Sequence, residues 1–183
     1  MAKKILIILA DGFEEVEAFG MVDFLRRTGL EVVTAGLMKV AVAGAHGIKV
    51  TADTTLAAVR VQEFDALALP GGMPGSMNLF ESDKVLEAVQ CAYQSGRIVA
   101  AICAAPIVLG RAGLLVNRTF TCYPGFEQKM NGVKPTSRMV ECDGRVITGK
   151  GPGAVFMFAA KIAAELGCSG EAEKTAAGMF VSI

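Results

Sequence analysis

The chain has 183 residues, of which 52% are hydrophobic and 20% are charged, and its 18 basic residues balance its 18 acidic residues. This length and composition are typical of one folded domain spanning residues 1–183, and they exclude an intrinsically disordered chain. Without net charge or a basic stripe, the chain is not expected to bind nucleic acid or an anionic membrane surface as its main activity.

The first apolar run spans Lys4 to Leu9 and is followed by a turn at Asp11. This run is too short for the core of a signal peptide or for a membrane span, so we interpret it as a buried strand. The five cysteines form no CxxC pair and lack the spacing of a zinc site; they are Cys91, Cys103, Cys122, Cys142 and Cys168. Reduced thiols in a cytoplasmic protein without a bound metal are therefore expected.

Short apolar runs of strand length alternate along the chain with segments of helical spacing. The predicted strands are Lys4 to Leu9, Glu31 to Leu37, Asp65 to Leu69, Ile98 to Ile102 and Phe120 to Tyr123, with hairpins within Val40 to Asp53 and Met139 to Thr148. The predicted helices are Glu14 to Arg27, Ser82 to Tyr93 with Ser82 as its N-cap, Pro106 to Leu114, Gly153 to Leu166, and one in the tail Glu171 to Ile183. This order predicts an α/β fold, a doubly wound and mostly parallel sheet sandwiched by helices, which binds ligands beyond the carboxyl ends of its strands.

Cys103 lies where the strand Ile98 to Ile102 passes directly into a helix that begins at Pro106. At the amino end of a helix, unpaired amide groups and the helix dipole favour an anion, which for a cysteine is its own thiolate. The alanines on both sides let the backbone come close, as in the turn of a nucleophile elbow. The pattern predicts a reactive nucleophile, and the alternative is a buried structural thiol.

Acidic residues crowd the start of the first predicted helix. Glu14 and Glu15 are predicted to face solvent and to complement the helix dipole, as most acidic residues in a first turn do. Glu17 is a candidate to point inward, where burial would favour its protonated form and let it donate a hydrogen bond to the thiolate sulfur. A solvent-facing Glu17 is the alternative.

Glycines end the strand Asp65 to Leu69, in the sequence Pro70, Gly71 and Gly72. If these glycines face Cys103, their amides form a pocket for the oxygen of a polarised carbonyl; otherwise they only make a tight turn. The glycine-rich stretches at 71–75 and 149–153 match neither the dinucleotide-binding nor the P-loop pattern. No nucleotide cofactor is therefore expected.

The only histidine, His46, lies in the first predicted hairpin, far along the chain from Cys103. A loop position beside glycine is typical of an exposed side chain. A Cys-His dyad would require His46 to fold over the site or to come from another subunit.

Four motifs, taken in order, resemble the DJ-1/PfpI (ThiJ-like) superfamily over nearly the whole chain, and the likeness is closest to its DJ-1 branch. They are Asp11 to Glu17, Leu69 to Gly72 with Asn78 and Leu79, Ala100 to Pro106, and Gly151 to Gly153. The resemblance implies a flavodoxin-like sandwich, a homodimer, and Cys103 as the reactive cysteine. It also implies that Glu17 is the protonated glutamate beside the cysteine and that the amides of Gly72 and Ala104 form the oxyanion pocket.

Two positions depart from the superfamily. PfpI-type proteases carry a histidine directly after the cysteine, where this chain has Ala104, and this difference argues against a peptidase. DJ-1-like members that act on glyoxals often have a histidine before a proline near the site, where this chain has Tyr123 before Pro124. Tyrosine is a poor base near neutral pH, because its ordinary pKa is about 10. His46 matches a loop near the dimer interface of similar proteins.

The resemblance implies a cofactor-free enzyme of the glyoxalase or deglycase kind, in which Cys103 adds to a small α-oxoaldehyde such as methylglyoxal and Glu17 moves protons until lactate is released. The alternative is a redox sensor, in which oxidation of Cys103 supports a protective or chaperone-like role against oxidative stress. An intracellular protease or amidase is the least favoured hypothesis.

Overall fold

The structure of the protein is a computed structural model that describes residues 3–130 and 134–183. Its strands are β1 Lys4–Leu9, β2 Glu31–Gly36, β3 Ala41–Ala43, β4 Lys49–Thr51, β5 Thr54–Thr55, β6 Ala66–Leu69, β7 Ile98–Ile102, β8 Val140–Asp143 and β9 Val146–Gly149. Its α-helices are α1 Glu15–Arg27, α2 Gly75–Glu81, α3 Asp83–Gln94, α4 Pro106–Arg111, α5 Val155–Glu165 and α6 Ser169–Gly178. Short 3-10 turns cover Leu56–Ala58, Val61–Glu63, Phe126–Lys129 and Pro152–Ala154.

Seven strands form one sheet in the order β5-β2-β1-β6-β7-β9-β8. All neighbouring pairs are parallel except β8 with β9, which form an antiparallel hairpin. Strands β3 and β4 pair with each other outside the sheet, as the predicted hairpin excursion. The predicted α/β fold with a mostly parallel sheet is confirmed.

Both faces of the sheet are covered by helices, and strand β1 shows how the sequence produces this. Its side chains alternate between the faces, so that Ile5 and Ile7 join one apolar cluster while Leu6 and Ile8 join the other. The first cluster includes buried residues of α1, α5 and α6, and the second includes those of α2, α3 and α4. A continuous apolar strand is therefore what a sheet buried on both faces requires. The packing fixes the carboxyl ends of the central strands, where the candidate site lies.

The predicted strand Phe120 to Tyr123 is wrong. The residues Phe120, Thr121 and Cys122 are buried, which explains the apolar pattern, but β7 is already paired with β6 on one side and β9 on the other. No edge of β7 remains for this segment. Its amides bond instead to the Thr148 hydroxyl and to the carbonyl of Cys103, which lies at the end of β7.

Other differences concern helix ends. The helix α2 was not predicted, because it follows a stretch rich in glycine and proline. The helix α4 ends at Arg111 rather than at Leu114, and Gly113 follows it with a φ of +76°. The predicted N-cap at Ser82 is confirmed, since its hydroxyl accepts a hydrogen bond from the amide of Val85 at 3.3 Å. Among the described residues, no helix is both long and apolar enough to cross a membrane.

Candidate active site

Cys103 occupies a strained turn at the carboxyl end of β7. Its φ is +65°, in the left-handed region that side-chain-bearing residues rarely adopt. Two backbone hydrogen bonds hold this turn: the Cys103 amide donates to the carbonyl of Gly149 at 2.9 Å, and the Tyr123 amide donates to the carbonyl of Cys103 at 2.8 Å. The residue is 9% exposed. The turn thus places the Cys103 side chain at the carboxyl end of β7, beside Gly71 and Glu17.

Glu17 reaches Cys103 from the first turn of α1. Its side chain is fully buried, and its Oε2 accepts a hydrogen bond from the Gly71 amide at 2.7 Å. Its Oε1 is buried and has no partner satisfying hydrogen-bond geometry within residues 3–130 and 134–183. Burial raises the pKa of Glu17 to about 7, although the Gly71 hydrogen bond and the contact with Cys103 act in the opposite direction. Burial and the unpartnered Oε1 therefore favour the protonated form of Glu17, which can donate a hydrogen bond from that oxygen.

Gly71 separates Glu17 from Cys103, and its lack of a side chain lets the two approach. A Cβ at this position would lie 2.6 Å from the Cβ of Cys103 and 2.6 Å from Oε2 of Glu17. The sulfur-bearing carbon and the carboxyl group therefore flank the same glycine. Any larger residue at Gly71 would push them apart.

The acid–base balance of Cys103 differs from the sequence-based expectation. Burial raises the pKa of its thiol, and a negative charge on Glu17 raises it further, whereas the amides of Ala104 and Gly72 act to lower it. The amino end of the short helix α4 is thus not sufficient to make the sulfur a thiolate. Because two adjacent buried acids resist carrying two charges, the pair tends to retain one proton, and an anionic sulfur requires that proton to lie on Glu17.

The two glycine amides assigned to an oxyanion pocket have different partners. The Gly71 amide is occupied by Glu17, so it is not free for a substrate oxygen. The amides of Gly72 and Ala104 both interact with the Cys103 side chain. Gly72 has a φ of +92°, and a Cβ there would lie 2.3 Å from the Glu14 amide nitrogen. The pair of amides that faces the sulfur is therefore Gly72 with Ala104.

The two accessory candidates lie in different places. Tyr123 is bonded to Cys103 through its backbone, is 48% exposed, and packs its ring edge-on against Phe126 with 6.3 Å between the ring centres. His46 contacts Glu15 instead, with 2.8 Å between its Nδ1 and Oε2 of that carboxylate. The structure thus brings Tyr123 to the Cys103 turn and joins His46 to the start of α1.

Glu15 does not face solvent as predicted. It is 6% exposed, because its carboxylate lies over the turn between β3 and β4 and bonds to backbone and side-chain groups there. Potential ligand atoms of Glu14, Glu15 and His46 lie within 4.8 Å of one another, but those of Glu15 and His46 bond to each other. The glycine at position 44 was the available signal, since only a missing side chain leaves room for this carboxylate.

Comparisons with known proteins show which family this chain belongs to. The DJ-1/PfpI family matches residues 3–165. Protein dj-1beta of Drosophila melanogaster is 38% identical over 185 residues, covering 100% of this chain and 99% of that protein. The crystal structure of Drosophila melanogaster DJ-1beta superposes with a TM-score of 0.95 at 38% identity, over 100% of both chains.

Two relatives carry names that state an activity. The glutathione-independent glyoxalase DJR-1.2 of Caenorhabditis elegans is 38% identical over 163 residues, covering 87% of each chain. The deglycase PfpI of Pyrococcus furiosus is 36% identical over 158 residues, covering 85% of this chain and 94% of that protein. On the strength of the match over most of its length, the chain belongs to the DJ-1/PfpI family.

Proposed function

We propose that this protein is a cofactor-free enzyme that converts small α-oxoaldehydes, such as methylglyoxal, into hydroxy acids. The observation that carries the proposal is the meeting of a strained cysteine, a buried carboxyl group with a spare oxygen, and two amides at one strand end. Relatives named glyoxalase and deglycase support the same class of substrate. A deglycase reaction on adducts of such aldehydes would begin at the same sulfur.

In the first step, the Cys103 sulfur attacks the aldehyde carbon, the carbon–oxygen π bond breaks, and the oxygen receives the proton of Glu17. The product is a hemithioacetal. The amides of Gly72 and Ala104 stabilise the negative charge that develops on the oxygen before it is protonated.

In the second step, the Glu17 carboxylate removes the hydrogen of the former aldehyde carbon and returns a proton to the neighbouring carbon. The hemithioacetal becomes a thioester of the hydroxy acid, with the carbonyl now on the sulfur-bearing carbon. Water then cleaves the carbon–sulfur bond and releases lactate with the Cys103 thiol. The sum is methylglyoxal plus water giving lactic acid, so no external oxidant or reductant is needed.

We assign the proton steps to Glu17 because its carboxyl group meets the Cys103 side chain across Gly71. His46 contacts Glu15, and an ordinary tyrosine is too weak a base near neutral pH. We assign Tyr123 the accessory role of a hydrogen-bond donor to the substrate oxygen. The expected homodimer, the cytoplasmic location and the single domain stay predictions.

Lactate formation tests the proposal directly. The purified chain, free of glutathione, is expected to convert methylglyoxal to lactate. Cys91→Ala is expected to retain turnover within about twofold, because the half-buried Cys91 thiol contacts Gln62 rather than the groups around Cys103. In deuterium oxide, lactate should carry deuterium at carbon 2, since a proton that passes through Glu17 exchanges with solvent. Absence of lactate at every pH from about 6 to 9 in a folded sample would contradict the proposal.

A second candidate function is the sensing of peroxide by Cys103. The same two amides and the spare oxygen of Glu17 surround the sulfur, and they could hold the two oxygens of a sulfinate. Two molecules of hydrogen peroxide would oxidise the thiolate to the sulfinate and leave as water. Protective or chaperone-like activity would depend on that oxidised state.

Mass spectrometry after mild peroxide treatment tests the sensor. Cys103 is expected to gain two oxygens before the half-buried thiols of Cys91, Cys142 and Cys168 gain any. Glu17→Gln should lower the lactate yield far more than the extent of oxidation if catalysis is the main role, because the amide still donates to oxygen but cannot carry protons. Equal oxidation of all four thiols would remove the basis for sensing.

A further inference from the structure

Glu15 is a buried carboxylate with several hydrogen bonds, and the proposed reaction does not use it. Its Oε1 accepts hydrogen bonds from the His46 amide at 2.8 Å and the Ile48 amide at 3.4 Å, and its Oε2 lies 2.8 Å from Nδ1 of His46. One carboxylate thus satisfies the turn between β3 and β4 and holds it to the first turn of α1. Glu15 is two residues from Glu17 on the same helix.

The backbone between β1 and α1 continues this connection. On one side it bonds to the hairpin, where the Gly12 amide donates to Ala43 at 2.7 Å and the Ala45 amide donates to Phe13 at 2.8 Å. On the other side it bonds to the glycine turn after β6, where the Glu14 amide donates to the carbonyl of Gly71 at 2.9 Å. The segment 12–14 is therefore a strip held between the hairpin and the turn that carries the Gly71 and Gly72 amides.

Gly44 completes the arrangement. A Cβ on this glycine would lie 2.2 Å from Oε1 and 2.3 Å from Cδ of Glu15, so the carboxylate occupies the space that a side chain would need. The backbone of Gly44 does not have a positive φ. Alanine is therefore compatible with the backbone there and would displace only the carboxylate.

We propose that Glu15 is a positioning residue of the Cys103 site: by tying the β3–β4 turn to α1, it holds Glu17 and the Gly71–Gly72 turn against the sulfur. The part of the test that measures methylglyoxal turnover rests on the proposed function, whereas the contacts that tie Glu15 to the site do not depend on it. Charged groups facing Glu15 are His46 and Glu14, and the ion pair of Lys39 with Asp11 borders the same strip. Glu15 itself touches no reacting atom.

The test compares Glu15→Ala, Glu15→Gln and Gly44→Ala with wild type in two assays. The first is kcat and KM for methylglyoxal. The second is the pH dependence of Cys103 alkylation by iodoacetamide, resolved from the other cysteines by peptide mass spectrometry.

Glu15→Ala and Gly44→Ala are expected to lower kcat about 10-fold to 100-fold with little change in KM, since small displacements of reacting groups have effects of this size. The alkylation midpoint should shift from that of wild type, because a displaced Glu17 no longer interacts with the sulfur. Glu15→Gln should restore most of both, since its amide oxygen still accepts the two backbone amides.

Asp53→Ala is the matched control. The Asp53 carboxylate likewise ties the segment between β4 and β5 to the sheet, accepting from the Thr34 amide and hydroxyl at 2.8 Å, and its side-chain contacts are with Thr34 and Arg26 rather than with the Cys103 site. This variant should lose stability while keeping the wild-type kcat and alkylation midpoint. All assays are run well below each variant's unfolding temperature, and Gly44→Ala carries the test if Glu15→Ala does not fold.

Unchanged kcat and midpoint in folded Glu15→Ala and Gly44→Ala, with loss of stability alone, would overturn the proposal. The same conclusion follows if Asp53→Ala shifts the midpoint as much as they do. If wild type forms no lactate, the proposed reaction fails, yet the alkylation midpoint still decides whether Glu15 positions the site.

Discussion

Cys103→Ser is expected to abolish lactate formation, lowering kcat/KM for methylglyoxal by a factor on the order of 10³ or more. Serine is close to cysteine in size, and the substitution leaves the backbone hydrogen bonds of residue 103 in place. The turn at φ +65° should therefore persist. Its hydroxyl is a far weaker acid than a thiol, and Glu17, with a pKa raised to about 7, is too weak a base to ionise it. The loss therefore reports the chemistry of the sulfur rather than the fold. Initial rates of lactate release measure it.

Cys168→Ser is the control for this substitution. Cys168 is half-buried, directly precedes α6 and packs against the first apolar cluster. We expect it to keep turnover within about twofold, since it touches no reacting group. Turnover by Cys103→Ser at the wild-type rate would remove the sulfur from the mechanism.

Glu17→Gln is expected to stabilise the folded chain at alkaline pH while removing most activity. In the folded chain, burial raises the pKa of Glu17 from 4.5 to about 7. Below pH 4.5 the carboxyl group is protonated in both the folded and unfolded chains, and its ionisation costs nothing. As pH rises toward 7 the unfolded chain loses this proton first, so the free energy of unfolding falls. Above pH 7 the penalty is complete, at about 3 kcal/mol.

Glutamine has the shape of the protonated acid and no charge to desolvate, so the variant avoids this penalty. At pH 8 its midpoint of thermal unfolding should exceed that of wild type by about 6 to 12 °C, and the difference should vanish near pH 4. Turnover should fall on the order of 10² to 10⁴-fold, because an amide cannot exchange protons with the substrate.

Thermal unfolding at pH 4, 6 and 8 checks the stability arm, and exposed Glu171→Gln serves as the control that should show no pH-dependent gain. A Glu17→Gln variant less stable than wild type at pH 8 would mean that the buried carboxyl group is charged and well compensated in the folded chain. Wild-type turnover in this variant would assign the proton steps to another group.

The pattern of apolar residues was sufficient for the main architecture. Because β1 is buried on both faces, its residues Ile5 to Leu9 have to be continuously apolar, and this pattern is visible in the sequence alone. The strand that ends at Ile102 and passes into Pro106 likewise predicts a sharp turn at Cys103. Local pattern and covalent connectivity determine such features, so they follow from the order of the residues alone.

The tertiary structure alone decided which neighbours each polar group has. The acidic residues Glu14, Glu15 and Glu17 look alike in the sequence, yet Glu15 bonds to the β3–β4 turn and Glu17 bonds to Gly71. The Phe120 to Tyr123 segment has a strand-like pattern, but both edges of β7 are taken by other strands. Burial, pKa and the availability of a pairing edge depend on groups distant in the chain, and no local pattern contains them.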